Sequence, residues 1–225
     1  PGYMFSTILY LLISALLLAQ PDVGMTIVVS AIWGIQIFVA GLPLLWVVVV
    51  GMIFLIVSIG CYLSFDHVKL RVDRFLDPDA IEGFQVSQAL SAFRNGGWLG
   101  RGPGEGQVKE GLPDAHADFI LAVIGEEFGL VACVIVVALF LFIVLRGFCV
   151  VIKSSDLFAL LAVSGLLTQF AVQAIINMAS TLHLMPPKGM TLPFVSYGGS
   201  STLAMGITIG MVLALTRNRR EKARW

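Results

Sequence analysis

Apolar and polar positions alternate along this chain as long apolar runs, short polar breaks and one long polar interval. A bilayer core of about 30 Å needs roughly 20 apolar residues per helix, and runs of that order recur. The first, Tyr3 to Ala19, stops at Gln20-Pro21-Asp22, where proline cannot continue a helix and aspartate prefers water. The second runs from Gly24 to Val39, and Gly41-Leu42-Pro43 turns the chain into a third, Leu44 to Phe65. Beyond the polar interval 66–116 come a fourth run from Ala117 to Arg146, a fifth from Leu157 to Thr181 and a sixth from Ser201 to Leu215. The pattern predicts an all-α integral membrane protein with six transmembrane helices, three within 1–65 and three within 117–216.

Composition strengthens this reading. Of 225 residues 58% are hydrophobic and 12% charged, and the mean hydropathy of +0.93 excludes an ordinary soluble domain. Balanced charge gives no case for nucleic acid, so the placement of charges matters more than their sum. The tail 217–225 carries five basic residues against one acidic, and Arg146 and Lys153 flank the turn between the fourth and fifth runs. Both segments belong inside by the positive-inside rule, and six spans let them agree. The same parity puts residue 1 inside and the segments 66–116 and 182–200 outside. In the larger loop eight acids outnumber six basic residues, and long loops weigh little in that rule. Pro1-Gly2-Tyr3 runs straight into apolar sequence without a basic region, a cleavage site or a starting Met, so the chain reads as a piece of a longer one. Cys61, Cys133 and Cys149 have no pairing or metal-ligand spacing and read as small membrane-facing or packing residues.

Chemistry is expected in the two outside loops. Phe75, Leu76, Phe84, Leu90, Phe93, Trp98 and Leu99 interrupt the long loop too often for a solvated linker and predict short interfacial helices in a structured cap. The stretch from Gly96 to Gly106 lacks the Lys-Ser/Thr ending of a P-loop. It is either a turn that lets backbones pack closely or a nest whose amides, with Arg101, meet a diphosphate. Pro113 suits a first helical turn and Asp114 its N-terminus, which places Asp118 one turn in, at the membrane boundary. Asp114 alone could stabilise the helix end, so Asp118 is read as a general base facing a headgroup. Glu126 and Glu127 follow about 12 to 14 Å further along a helix axis. They are read as an interhelical lock, with Gly125 and Gly129 admitting a close neighbour, ahead of a proton relay. In the second loop Lys188 is the anion contact, while Ser196, Tyr197, Ser200 and Ser201 donate to a headgroup or cap the sixth helix. His67, His116 and His183 have no helical i, i+4 partners, so a zinc site is unsupported.

Four segments together resemble the SEDS family of bacterial cell-wall polymerases. They are Ala19 to Gly24, Leu112 to Ile120, Ile124-Gly125-Glu126-Glu127-Phe128-Gly129, and Pro187 to Ser201. The cell-division branch of the family is more similar than the elongation branch. The resemblance implies a ten-helix fold of which this chain holds the last six helices, and implies that the chain alone is inactive. It implies a peptidoglycan glycosyltransferase that polymerises lipid II at the septum of a bacterial inner membrane and releases undecaprenyl diphosphate. It assigns Asp118 as the catalytic base or a ligand of a divalent cation (Mg or Mn), with no organic cofactor, and Glu110 as a functional acid. Arg101, Lys109, Lys188, Ser196 and Tyr197 are the expected substrate contacts. The partners implied are a class B penicillin-binding transpeptidase, other division proteins and membrane lipid. Ala117 stands where the family usually has Thr, Asp114 where Glu is common and Phe84 where Tyr is frequent; none removes a proposed catalytic group. A lipid-linked precursor transporter using Glu126 and Glu127 and a noncatalytic division scaffold are the competing functions.

Overall fold

The computed structural model describes residues 2–20, 22–41, 81–153, 156–186 and 189–217, with scattered positions between 43 and 73. The expected third span and basic tail therefore lie largely outside the described residues, as do Lys188, His67 and Cys61 and the side chains of Lys109 and Glu110. The described helices are α1 (Gly2–Ala19), α2 (Val23–Val39), α3 (Ile81–Gly96), α4 (Ile120–Val151), α5 (Leu157–Thr181) and α6 (Gly199–Thr216), with a 3₁₀ turn at Val108–Gly111. Among the described residues α1, α4, α5 and α6 are long and apolar enough to cross a membrane, and α2 is a shorter apolar helix. The chain is a multi-pass helical membrane protein.

Contacts divide the chain into two compact units. The first comprises Pro1–Pro43, Leu141–Val172 and Ser200–Trp225. Within it Asp22 caps α2 by accepting the Met25 N–H at 3.0 Å, and Asp156 caps α5 by accepting the Phe158 N–H at 2.9 Å. Tyr10 of α1 stacks on Trp33 of α2, with ring centroids 4.4 Å apart, and its hydroxyl shares a 2.9 Å hydrogen bond with Ser30. Val151, Val163, Leu167 and Val212 form its buried apolar cluster.

The second unit comprises Leu44–Phe140 and Gln173–Gly199. Its core sits in the polar interval: Ala89 and Ala92 of α3 pack with Leu112, Ala115, Phe119 and Ala122. Small residues on α3 bring the 112–122 segment close, which is why this interval is packed rather than trailing.

Helix boundaries correct the sequence reading in three places. The fourth span begins at Ile120, not Ala117, because Asp114 takes a positive φ of 52° and residues 112–118 form successive turns. Asp118 thus precedes the helix instead of lying one turn inside it. The same helix carries on past Arg146 to Val151. The sixth begins at Gly199, which puts Ser200 and Ser201 inside its first turn.

Candidate functional site

Helix α4 is broken at Gly129, whose φ of 79° and ψ of −179° only glycine adopts readily. In an unbroken helix the amides of Leu130 and Val131 would bond the carbonyls of Glu126 and Glu127. Here Leu130 donates to Gly97 O at 2.9 Å and Val131 to Trp98 O at 3.3 Å. The two carbonyls so released accept the amides of Arg101 and Gly102, each at 3.0 Å. The 97–102 loop therefore replaces two helical hydrogen bonds with four of its own. Glycine makes the approach possible. A Cβ on Gly96 would run into the Gly125 carbonyl, one on Gly100 into that of Glu127, and one on Gly125 into the Phe93 ring.

Glu126, wholly buried, completes the attachment: its Oε1 accepts the backbone amides of Gln107 and Val108, both at 3.0 Å. The interhelical lock expected for this residue is not what is seen: its carboxyl oxygen is taken by amides of the loop that precedes α4, because the docked loop presents two N–H groups to it. The arm 130–151 is by itself about 33 Å long at 1.5 Å per residue, enough to cross a bilayer core of about 30 Å. Glu126 and the docked loop thus belong to the end of α4 next to Asp118 and need not sit in hydrocarbon. Of the two readings of the glycine stretch, close backbone packing accounts for what is seen, since the amides of Gly100, Arg101 and Gly102 are all bonded within the protein. Arg101 is exposed, and its guanidinium donates to Asn95 O at 3.3 Å and Asn95 Oδ1 at 3.2 Å.

Around Asp118 the turns of the first loop meet the second loop. Asp114 O accepts the amides of Ala117 and Asp118, both at 3.0 Å, and His116 O accepts the amide of Tyr197 at 2.9 Å. Asn177, wholly buried near the end of α5, donates through Nδ2 to Asp118 O at 2.9 Å and to Met190 O at 2.7 Å. Gln173, one turn earlier, donates to Thr191 O at 3.1 Å. A Cβ on Gly189 would stand 3.7 Å from Asp118 Oδ2, so the second-loop backbone passes beside the carboxylate. Burial pushes the Asp118 carboxyl above the ordinary carboxylate range, and the nearby negative charge of Asp114 adds to that.

The second loop is itself closed tightly. Ser196 is buried, its hydroxyl accepting the Leu192 amide at 2.8 Å while its own amide donates to Leu192 O at 3.0 Å. Phe194, between them, takes a φ of 61°. The Ser196 oxygen thus serves the loop, whereas the neighbouring Tyr197 side chain is 84% exposed. His183 has a φ of 60° because it occupies the left-handed position that ends α5: Leu184 donates to Ala179 O at 2.9 Å and His183 to Ser180 O at 3.2 Å. Among the described residues no three His, Cys, Asp or Glu side chains converge as a metal cluster.

Sequence reasoning brought Asp118 and the 187–201 loop forward separately and missed Asn177 and Gln173, which tie them together. Gln169, Gln173, Asn177 and Thr181 recur every four residues along a largely apolar run. That stripe on one helix face was the available signal.

These features define a helical membrane protein with an acidic residue held where two loops meet. The chain belongs to the FtsW/RodA/SpoVE family of cell cycle proteins, which it matches over residues 2–221. It is 46% identical over 219 residues to "Probable peptidoglycan glycosyltransferase FtsW" of Caulobacter vibrioides, covering 97% of this chain and 56% of that one. The counterpart from Geobacter sulfurreducens is 36% identical, over 96% of this chain and 59% of that one. Among solved structures, one described as "Structural coordination of polymerization and crosslinking by a peptidoglycan synthase complex" matches with a TM-score of 0.80 and 30% identity, over 97% of this chain and 62% of that chain. The chain thus spans little more than half the length of the curated relatives it matches.

Proposed function

We propose that the protein to which this chain belongs is a peptidoglycan glycosyltransferase that polymerises lipid II during septal wall synthesis. Family membership and the glycosyltransferase name of the relatives support the reaction class. The observation that carries the site is the half-buried Asp118 carboxylate beside the Gly189 backbone, at the junction of the two loops. A carboxyl with a raised pKa is a better proton acceptor than an ordinary one and suits general-base work. Asp118 takes the proton of an acceptor sugar hydroxyl, whose oxygen bonds to C1 of the donor sugar. The C1–oxygen bond to the diphosphate breaks, and undecaprenyl diphosphate leaves with the electron pair.

Arg101 and Lys188 are assigned to the diphosphate by their charge and their place in the two loops, Lys109 and Tyr197 to further substrate contacts, and Glu110 to a functional acid by family resemblance. Ser196 is assigned to shaping the loop that presents Tyr197, since its hydroxyl is engaged at Leu192. The resemblance also brings a divalent cation (Mg or Mn) to Asp118. The described donors do not by themselves fit a closed metal site, so the proton transfer rests on Asp118 alone. The wider architecture follows the family: ten helices, of which six fall within this chain, set in the bacterial inner membrane with the tail 217–225 cytoplasmic and both loops outside. A class B penicillin-binding transpeptidase is the partner.

The full-length protein, purified in detergent and supplied with labelled lipid II, tests the reading. Asp118→Asn is expected to abolish polymer formation while lipid II still binds. Polymer yield equal to wild type would overturn it.

A further inference from the structure

We infer that Asn177 is a positioning residue that fixes the catalytic carboxylate of Asp118 against the Gly189–Thr191 backbone. The inference rests on the glycosyltransferase reading above. One amide nitrogen, Asn177 Nδ2, spends both hydrogens on main-chain carbonyls from separate parts of the sequence, Asp118 O and Met190 O. Residues 118 and 190 are 72 positions apart, yet through this nitrogen they share one anchor, at 2.9 and 2.7 Å.

The arrangement is specific to an amide of this length. Aspartate in the same place would turn a carboxylate toward two carbonyl oxygens. Serine would fall short of both, and leucine would fill the space without donating. The anchor is also rigid. Asn177 is wholly buried in α5, and its own carbonyl accepts the hydroxyls of Ser180 at 2.9 Å and Thr181 at 2.8 Å. Its Oδ1, buried, has no partner among the described residues. An asparagine kept in a closed place with an unbonded acceptor is kept for its donors, because an apolar residue of similar size would avoid that cost.

The geometric consequence falls on the reacting group. With Asp118 O and Met190 O on one nitrogen, the Gly189 backbone is brought beside Asp118 Oδ2. Gln173 holds the next residue by donating to Thr191 O at 3.1 Å, so α5 grips the second loop at two successive residues. Releasing Asn177 leaves the Asp118 side chain intact and loosens where it points.

Full-length Asn177→Leu and Asn177→Ser enzymes, assayed with lipid II in detergent, test this alongside wild type and Asp118→Asn. If wild type is active, each folded Asn177 variant is expected to lose up to about a hundredfold in kcat with KM little changed, as a misplacement near 1 Å does. Hydrogen exchange supplies a readout independent of activity: amides of 114–118 and 189–192 are expected to exchange faster together, while those of 130–145 keep their rates. Wild-type kcat in the folded variants, or unchanged exchange in both loops, would overturn the positioning role. An inactive wild type with the exchange result intact would sink the glycosyltransferase reading and leave the anchor standing. Should Asn177→Leu fail to fold, Asn177→Ser decides by the same two measurements.

Discussion

Glu126 and Val108, 18 residues apart, are joined by a 3.0 Å hydrogen bond in which a wholly buried carboxylate accepts a backbone amide. The same oxygen accepts the Gln107 amide, so one side chain fastens the loop segment that follows the docked 97–102 stretch. The first of two adjacent glutamates in an apolar helix is thereby explained by what it attaches.

Removing that acceptor leaves two amides in a partly buried place. Glu126→Ala is expected to cost about 2 kcal/mol, below the sum for two fully buried charge-assisted bonds because the loop is partly exposed. Glu126→Gln keeps a carbonyl oxygen for the two amides and is expected to lose less. Thermal unfolding in detergent, with hydrogen exchange at Gln107 and Val108, separates the two. Equal stability of Glu126→Ala and wild type would show that the bond is dispensable.

The glycines of α4 and α6 should respond in opposite directions. At Gly129 a methyl group would collide with Gly100 N and Trp98 O in a backbone region that only glycine occupies readily. Gly129→Ala is expected to lose more than about 3 kcal/mol or to fail to accumulate. Gly206 and Gly210 lie within α6 with no atom within 4 Å of an added Cβ. Alanine there is expected to gain about 0.5 to 1 kcal/mol through helix propensity. Similar unfolding temperatures for all three variants would contradict the helix break.

With Asp118 as the proposed base, pH acts on activity and on stability with opposite signs. Its carboxyl is raised by burial first and by Asp114 second, so the folded state holds the proton more tightly than the unfolded chain does. The stability this contributes is full below the ordinary carboxylate value and is lost as pH rises through the raised one. Catalysis by the ionised base runs the other way, falling as pH drops through that same raised value. Asp114→Asn is expected to shift the acid limb of the polymerisation profile to lower pH. Asp118→Asn is expected to unfold at a higher temperature than wild type at neutral pH. A limb unmoved by Asp114→Asn, or an Asp118→Asn protein less stable than wild type, would count against this assignment.

His183 offers a test of the end of α5. It holds the left-handed position that glycine usually fills at a helix end. His183→Gly is expected to stabilise by up to about 1 kcal/mol and His183→Val to destabilise by more than that. Equal unfolding temperatures for the two variants would contradict the left-handed helix end.

Sequence and structure agree best where burial in lipid is the sole requirement. Apolar runs placed α1, α2, α5 and α6 to within about two residues, since length alone defines such helices. The start of α4 was misjudged because Pro113-Asp114 serves a turn as well as a helix start, and the positive φ at Asp114 chose the turn. The pairing of 97–102 with 126–131 was legible only as a density of glycine. Which carbonyls meet which amides depends on backbone angles at Gly129 that composition does not encode. Asp118 stood out as an acid without a structural excuse. Asn177 did not, because an amide in an apolar helix carries no charge to draw notice.

At the break in α4, two strands of backbone are matched amide by carbonyl across only a few residues, like the teeth of a short zip. Such a match fixes length as well as sequence. One residue added to or removed from 97–102 would slide Arg101 and Gly102 away from Glu126 and Glu127, even if every side chain were apolar or small. The 97–102 loop can therefore vary in what it displays, but not in how many residues separate α3 from the point where it grips α4.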